Sequence, residues 1–119
     1  MHDTLLVAKA LADTGRLRVL SVLLVRDELC VCQITALLGL ATATVSRHMS
    51  LLHAAGLVRS RKQGRWVYYG LSETVPASLR AWLEESFSAS AEAVADRSAV
   101  ERIVECDRDE LCRAQRPAT

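Results

Sequence analysis

Two cysteines separated by a single residue are the side chains in this sequence with the most distinctive chemistry. Cys30 and Cys32 lie in the run ELCVCQI, residues 28–34, where the hydrophobic pattern predicts that a short helix begins. Thiolates are soft ligands, and two of them so close together can hold a thiophilic metal or metalloid. The positive end of a helix dipole also favours the thiolate form of a cysteine. The spacing therefore predicts a soft binding site at this point.

The one-residue spacing restricts how both thiols can reach one ion. In a regular helix, side chains two residues apart point about 200° away from each other. Sulfurs that share one ion instead lie on the order of 3.5 Å apart. Binding through both cysteines therefore predicts non-helical backbone here. We expect ligation to distort the start of the helix, which offers a switch.

The other two cysteines, Cys106 and Cys112, lie near the C-terminus beside Asp107, Asp109 and Glu110. These carboxylates disfavour the thiolate form, so an incidental role for both cysteines stays open. The sequence has neither a signal-peptide pattern nor an apolar run of membrane length. We therefore expect a cytoplasmic protein without a membrane partner, whose thiols are ligands, redox centres or core residues rather than a disulfide framework.

Hydrophobic periodicity predicts the helices that would position the thiols. Leucines at helical spacing indicate helices over about 3–13 and 16–26, with a break near Gly15. A third helix starts near Val31 and stops at Gly39, a residue typical of a helix C-terminus. A fourth helix follows directly, so the pair is typical of a helix-turn-helix.

The period changes from helical to alternating after the fourth helix. β-branched and aromatic residues flank a turn at Gly64-Arg65, which predicts a β-hairpin. Pro76 suits the first turn of a further helix, and helix-compatible sequence continues to Leu111. This order of elements predicts a mainly α winged helix-turn-helix with a small β-hairpin.

Charge is distributed unevenly along the 119 residues, although the net charge is only +1. Residues 29–72 carry five basic and no acidic side chains. Residues 1–28 have a net charge of zero, and residues 73–119 have a net charge of −4. A basic block over the helix-turn-helix and hairpin is typical of a surface that faces phosphates.

Five stretches in this order resemble the ArsR/SmtB family of metal-responsive repressors over roughly residues 5–88. They are LADTGRLRVL (11–20), ELCVC (28–32), TVSRHM (44–49), AGLV (55–58) and RKQGRWVYY (61–69). The ELCVC run is similar to that of the arsenite and antimonite sensors. The resemblance implies that As(III) or Sb(III) binds cysteine thiolates, commonly three, and that operator DNA is then released.

The third thiolate is missing from the expected place. In the similar sensors a further cysteine follows three residues after the second, and Thr35 stands at that position here. The resemblance thus implies a site of Cys30 and Cys32 with a ligand from elsewhere. We predict Cys106 as that ligand, with Cys112 as the alternative. A separate Cys106–Cys112 site, a solvent thiol and ligation across a dimer also stay open.

The second helix of a helix-turn-helix presents its first turns to the DNA major groove, and the wing contacts phosphates or the minor groove. Ala41 stands where the family usually has serine at the entrance of this helix. The predicted DNA contacts are Thr42, Thr44, Ser46, Arg47 and His48 in the helix and Arg61, Lys62, Gln63 and Arg65 in the hairpin. His48 has an alternative role as a structural cap.

We expect a homodimer on palindromic double-stranded DNA, because one recognition helix alone binds an operator weakly. The leucine-rich first helix and the face formed by Leu79, Trp82, Leu83 and Phe87 are candidate dimer surfaces, with core packing as their alternative role. Residues 1–90 would then form the DNA-binding and dimerisation domain. Residues 91–119 would form an acidic helical extension with a frayed tail over 113–119.

Two other functions can be compared with metalloid sensing. In one, the same DNA-binding fold uses its thiols as a redox or reactive-sulfur switch, through a disulfide or polysulfide. In the other the protein is an enzyme, which we do not expect because the sequence lacks a glycine-rich phosphate loop and a nucleophile elbow.

The sequence also restricts which metal could be sensed. Zinc sensing through a C-terminal helix is disfavoured because residues 72–119 contain no histidine. The choice among arsenite, antimonite and cadmium stays open.

Overall fold

The computed structural model describes residues 1–115 and contains seven helices and three strands in that range. They are α1 His2–Leu11, α2 Thr14–Leu23, β1 Leu29–Cys30, α3 Val31–Leu38, α4 Thr42–Ala54, β2 Val58–Gln63, β3 Trp66–Leu71, α5 Ala77–Ser88, α6 Ala91–Val104 and α7 Arg108–Gln115. The strands form an antiparallel sheet in the order β1-β3-β2. The predicted winged helix-turn-helix, with α3 and α4 as its two helices and β2-β3 as its wing, is confirmed.

The break between the first two helices falls at Asp13 rather than at Gly15. The Asp13 carboxylate accepts a hydrogen bond from the Arg16 N–H at 3.1 Å and so caps α2. Gly15 lies inside α2, where an added Cβ would be 3.1 Å from Asp13 Oδ2 and 3.3 Å from His48 Nε2. The glycine therefore serves the close approach of α2 and α4, which corrects the prediction that it breaks the helix.

The two helices of the helix-turn-helix pack on a common apolar core. Val45, Met49 and Leu52 form the buried inner face of α4, as predicted. Gly39 follows α3 with a φ of +66°, a left-handed conformation that favours glycine, so the predicted helix stop is confirmed. The core thus fixes α4 relative to α3, and with it the outer face of α4.

The C-terminal helices pack back onto the helix-turn-helix. Arg18 of α2 donates to both carboxylate oxygens of the buried Asp96 in α6, each at 3.0 Å, and to the Leu37 carbonyl oxygen at 3.2 Å. This guanidinium thereby joins α2, α6 and the end of α3. Helix α7 packs against α3 and includes residues 113–115 of the expected tail, while residues 116–119 lie outside the described residues.

Strand β1 is a two-residue element that periodicity did not predict. Leu29 pairs with Tyr69 and Cys30 with Tyr68, so the thiol run lies at an edge of the sheet. The helix-turn-helix therefore starts directly from a strand that is hydrogen-bonded to the wing. Over residues 1–115, none of the helices combines the length and apolar character needed to cross a membrane.

Candidate nucleic-acid interface and thiol site

The outer face of α4 carries exposed polar side chains. Thr42, Thr44, Ser46 and Arg47 are exposed, whereas Val45 between them is fully buried. The structure therefore places four of the predicted DNA contacts together on the solvent side of the recognition helix. Thr42 and Ser46 are one turn apart and face the same cavity.

His48 is held within the protein rather than left free on the α4 surface. Its Nδ1 lies 2.9 Å from Arg16 Nη1, and its Nε2 lies 3.7 Å from Asp13 Oδ2. Although burial raises the pKa of Asp13, the Arg16 N–H and the nearby His48 together bring that pKa below its usual value. His48 thus ties the recognition helix to the α1–α2 junction, the geometry expected of a structural cap.

The base of the wing is neutralised by an acidic residue that the sequence did not single out. Arg61 donates to Glu28 at 2.8 and 3.1 Å, and Arg59 donates to the same carboxylate at 2.8 Å. The hydrogen bond from Arg61, supported by that from Arg59, holds the pKa of Glu28 at about 2. The Arg61 guanidinium also lies 4.6 Å from the centroid of the Tyr68 ring. Arg61 is therefore engaged within the chain.

The wing tip keeps two of its predicted contacts exposed, although the Gln63 Oε1 atom accepts a hydrogen bond of 2.6 Å from Arg61. Lys62 and Gln63 are exposed, and Lys62 forms no ion pair within residues 1–115. Arg65, by contrast, forms an ion pair with Asp109 of α7, and its guanidinium lies 5.0 Å from the centroid of the Trp66 ring. The tip thus faces solvent on one side and α7 on the other.

Cys30 lies at the boundary between strand and helix. It is the N-cap residue of α3, with extended backbone angles of φ −79° and ψ 160°, and its N–H donates to Gln33 Oε1 at 2.9 Å. Its thiol is free and fully buried. The non-helical backbone that shared ligation requires is therefore present at the first of the two cysteines.

Cys32 lies in the first turn of α3 and forms a disulfide with Cys112 of α7, with the two Cα atoms 5.5 Å apart. The Gln115 side chain adds a hydrogen bond of 2.8 Å to the Cys32 carbonyl oxygen. Cys106 is exposed, and its thiol lies 3.6 Å from the Arg102 carbonyl oxygen. The structure thus brings Cys112 to Cys32, and within residues 1–115 no three His, Cys, Asp or Glu side chains cluster as metal ligands.

A cavity of about 710 Å³ connects the thiols to the candidate DNA interface. Cys32 and Cys112 line it together with Thr42 and Ser46 of α4 and Arg65 of the wing. The Cys32–Cys112 pair therefore borders the same cleft as two exposed residues of the recognition helix. The cavity could not be found from the sequence, because it depends on where α7 packs.

An exposed recognition helix beside a basic hairpin defines a winged-helix DNA-binding protein. Residues 13–60 match the model of the arsR family of bacterial regulatory proteins. The arsenical resistance operon repressor of Escherichia coli K12 is 40% identical over 86 residues, which cover 72% of this chain and 74% of that protein. The chain therefore belongs to the arsR family, as a DNA-binding transcriptional repressor.

Two further comparisons extend this result. The cadmium resistance regulatory protein CadC homolog of Staphylococcus aureus is 41% identical over 71 residues, covering 60% of this chain and 59% of that protein. The solved structure of HlyU from Vibrio cholerae is 32% identical, with a TM-score of 0.63, and the match covers 73% of this chain and 90% of that one. The fold is thus shared with a solved relative, whereas relatives named for different metals leave the inducer to be argued from the site.

Proposed function

We propose that this repressor acts in the cytoplasm as a homodimer on palindromic operator DNA and releases the DNA when As(III) or Sb(III) binds its cysteine thiolates. We assign Cys30, Cys32 and Cys112 as the three ligands. The observation that carries the proposal is the closeness of Cys112 to Cys32, which supplies the thiolate that Thr35 cannot.

The backbone distance supports this ligand set. Cα atoms 5.5 Å apart allow the sulfurs of Cys32 and Cys112 to meet. The same separation suits two thiolates that share one ion after the disulfide is reduced. Cys106 is exposed and lies between α6 and α7, and the experiment below distinguishes it from Cys112.

Burial at Cys30 suggests how binding is transmitted. Cys32 and Cys112 line the cavity, whereas the Cys30 thiol is fully buried beside β3. The ion therefore enters at the Cys32–Cys112 pair, and turning the Cys30 thiol toward it moves the backbone of β1. Because β1 pairs with β3 and leads directly into α3, this movement shifts both the wing and the helix-turn-helix.

The surface of the recognition helix and wing supports the DNA contacts. We assign direct contacts to Thr42, Thr44, Ser46 and Arg47 of α4 and to Lys62, Gln63 and Arg65 of the wing, since all are exposed. His48 and Arg61 remain candidates that also position α4 and the wing through their partners Asp13 and Glu28.

Exposed apolar side chains support the proposed dimer. Leu5 on α1 and Trp82 on α5 are 52% and 55% exposed, so both side chains are available to a second copy of the chain. Leu83 and Phe87 instead pack in the chain's own core. Leu5 of α1 and Trp82 of α5 are therefore our candidate residues for the twofold contact.

A titration on DNA tests the proposal. Fluorescence anisotropy of the protein, reduced with a phosphine, on a palindromic promoter fragment should fall as arsenite or antimonite is added. Cys30→Ser, Cys32→Ser and Cys112→Ser should each lose most of the response, whereas Cys106→Ser, the matched control, should keep it. A full response in Cys112→Ser together with loss in Cys106→Ser would overturn the assignment of the third ligand.

The disulfide between Cys32 and Cys112 favours a second candidate function, a thiol redox or reactive-sulfur switch. Titrating diamide and an inorganic polysulfide in the same assay separates the two. Release by these reagents without any release by arsenite or antimonite would favour the second function. Release by cadmium alone would keep the thiol site and change the inducer.

A further inference from the structure

Helix α7 forms one wall of the cleft between the recognition helix and the wing. The second wall consists of Thr42 and Ser46 of α4, and the third of Arg65 and Trp66 of the wing. Three of these four residues are proposed DNA contacts. A duplex that touches both α4 and Arg65 has to occupy the space that α7 closes.

Several contacts hold α7 in this position besides its packing on α3. Arg65 forms an ion pair with Asp109, and Arg108 donates a hydrogen bond to the Tyr68 hydroxyl. The Arg108 guanidinium also lies 5.8 Å from the centroid of the Trp66 ring. At the other end the Cys32–Cys112 disulfide and the Gln115 side chain fasten α7 to the first turn of α3.

We propose that α7 is an intramolecular competitor for operator DNA, held in place by a bridge between Cys32 and Cys112. This inference rests on the operator binding of the proposed function and gives that function a structural means of release. In its docked position α7 fills the approach to α4, and the Asp109 carboxylate takes the place of a phosphate at Arg65.

The strength of the individual contacts explains why the bridge is needed. The side chains of Arg65 and Asp109 are 67% and 51% exposed, and exposed ion pairs are weak and screened by salt. Without a covalent or ligand bridge, DNA therefore displaces α7 from the cleft. With Cys32 and Cys112 joined, α7 cannot leave, and its effective concentration at the cleft exceeds that of the DNA.

Two chemistries can make this bridge. An ion shared by both thiolates joins them without oxidation. In the oxidative route the two thiols lose two electrons and two protons to hydrogen peroxide, whose O–O bond breaks to give two molecules of water as the S–S bond forms. Either bridge fastens the same helix over the same surface.

Operator binding by the full chain before and after oxidation with hydrogen peroxide tests the inference. Oxidised wild-type protein should bind a palindromic promoter fragment at least tenfold more weakly than reduced protein. Cys106→Ser should show the same loss, and Cys112→Ser should show none, with circular dichroism confirming that both are folded. Oxidised Asp109→Asn should recover part of the affinity, because its Arg65 is released. Unchanged affinity of the oxidised wild type would overturn the proposal.

The reverse experiment gives a readout that does not depend on affinity. Bound operator should slow formation of the Cys32–Cys112 disulfide by hydrogen peroxide at least tenfold, because the two sulfurs meet only while α7 is docked and bound DNA excludes α7 from the cleft. DNA of unrelated sequence at the same concentration is the control. Equal disulfide rates with and without operator would overturn the competition. Reduced protein that binds operator but ignores arsenite and antimonite would refute only the proposed inducer.

Discussion

Glu28 and Arg61 form a two-point contact, with Arg61 Nη2 and Nε lying 2.8 and 3.1 Å from the two carboxylate oxygens. Glu28 lies two residues before Cys30, and Arg61 pairs with Tyr68, which is also the partner of Cys30 in β1. The thiol run and the wing are therefore connected twice, through the sheet and through this ion pair.

Replacing Glu28 with glutamine should lower the free energy of unfolding by about 1–2 kcal/mol at pH 7, because the glutamine side chain has nearly the same shape as glutamate but no charge. The pKa of Glu28 is about 2 in the folded protein and 4.5 without its partners. Its stabilising contribution is therefore complete above pH 4.5 and disappears as the pH falls toward 2. Urea unfolding at several pH values measures this, with the exposed Glu73→Gln as the control. If wild type and Glu28→Gln differ in unfolding free energy by the same amount at pH 7 and at pH 3, the stabilising role of the Glu28 charge is contradicted.

Replacing Asp96 with asparagine should lower the free energy of unfolding by about 2–3 kcal/mol, because Arg18 is then left without its buried counter-charge. Glu92 lies 3.6 Å from the same guanidinium, but its side chain is 60% exposed. Glu92→Gln is thus a matched control that should change stability by less than about 0.5 kcal/mol. Equal effects of the two substitutions in chemical denaturation would show that Asp96 does not hold α6 in place.

Gly15→Ala should loosen the contact between α2 and α4. The added methyl group would crowd the Asp13 carboxylate and the His48 ring, which outweighs the gain in helix propensity, for a net loss of about 1 kcal/mol. Operator affinity should fall as well, because His48 lies on the recognition helix. Thermal unfolding and anisotropy measure both effects, with the neighbouring exposed Thr14→Ala as control. A more stable Gly15→Ala protein with unchanged DNA binding would refute this role of the glycine.

Arg47→Ala and Lys62→Ala should weaken operator binding without changing the affinity for arsenite. If Arg47 contacts a base, Arg47→Ala should lose about 1–3 kcal/mol of DNA-binding free energy. If Lys62 contacts a phosphate, Lys62→Ala should release about one counterion fewer on binding DNA, so its affinity should depend less steeply on salt. Arg102→Ala, on the exposed side of α6, is the control for a general change in charge. Anisotropy at three salt concentrations distinguishes these outcomes. Wild-type affinity in both variants would show that DNA approaches another face.

Local patterns predicted the parts of the fold that depend on neighbouring residues. The spacing of Val45, Met49 and Leu52 predicted the buried face of α4. Gly39 predicted the end of α3, just before the turn into α4. Strand β1 was not predictable in this way, because two residues carry no period and its partner Tyr68 is far along the chain.

The candidate site depends still more on distant contacts. Cys32 and Cys112 are separated by 80 residues, and their pairing follows from the packing of α6 and α7 rather than from any spacing. The thiol run could be recognised as a ligand site from its residues alone. The choice between Cys106 and Cys112 needed the three-dimensional arrangement.

The position of Trp66 makes the chain its own optical probe. The guanidinium groups of Arg65 in the wing and Arg108 in α7 both lie over the Trp66 indole. The other tryptophan, Trp82, is on α5. If α7 leaves the cleft as proposed, Trp66 should lose the cation of Arg108 and become more hydrated, so that its emission should move to longer wavelength. The position of the C-terminal helix can therefore be followed in real time in unlabelled protein, with Trp82→Phe removing the background.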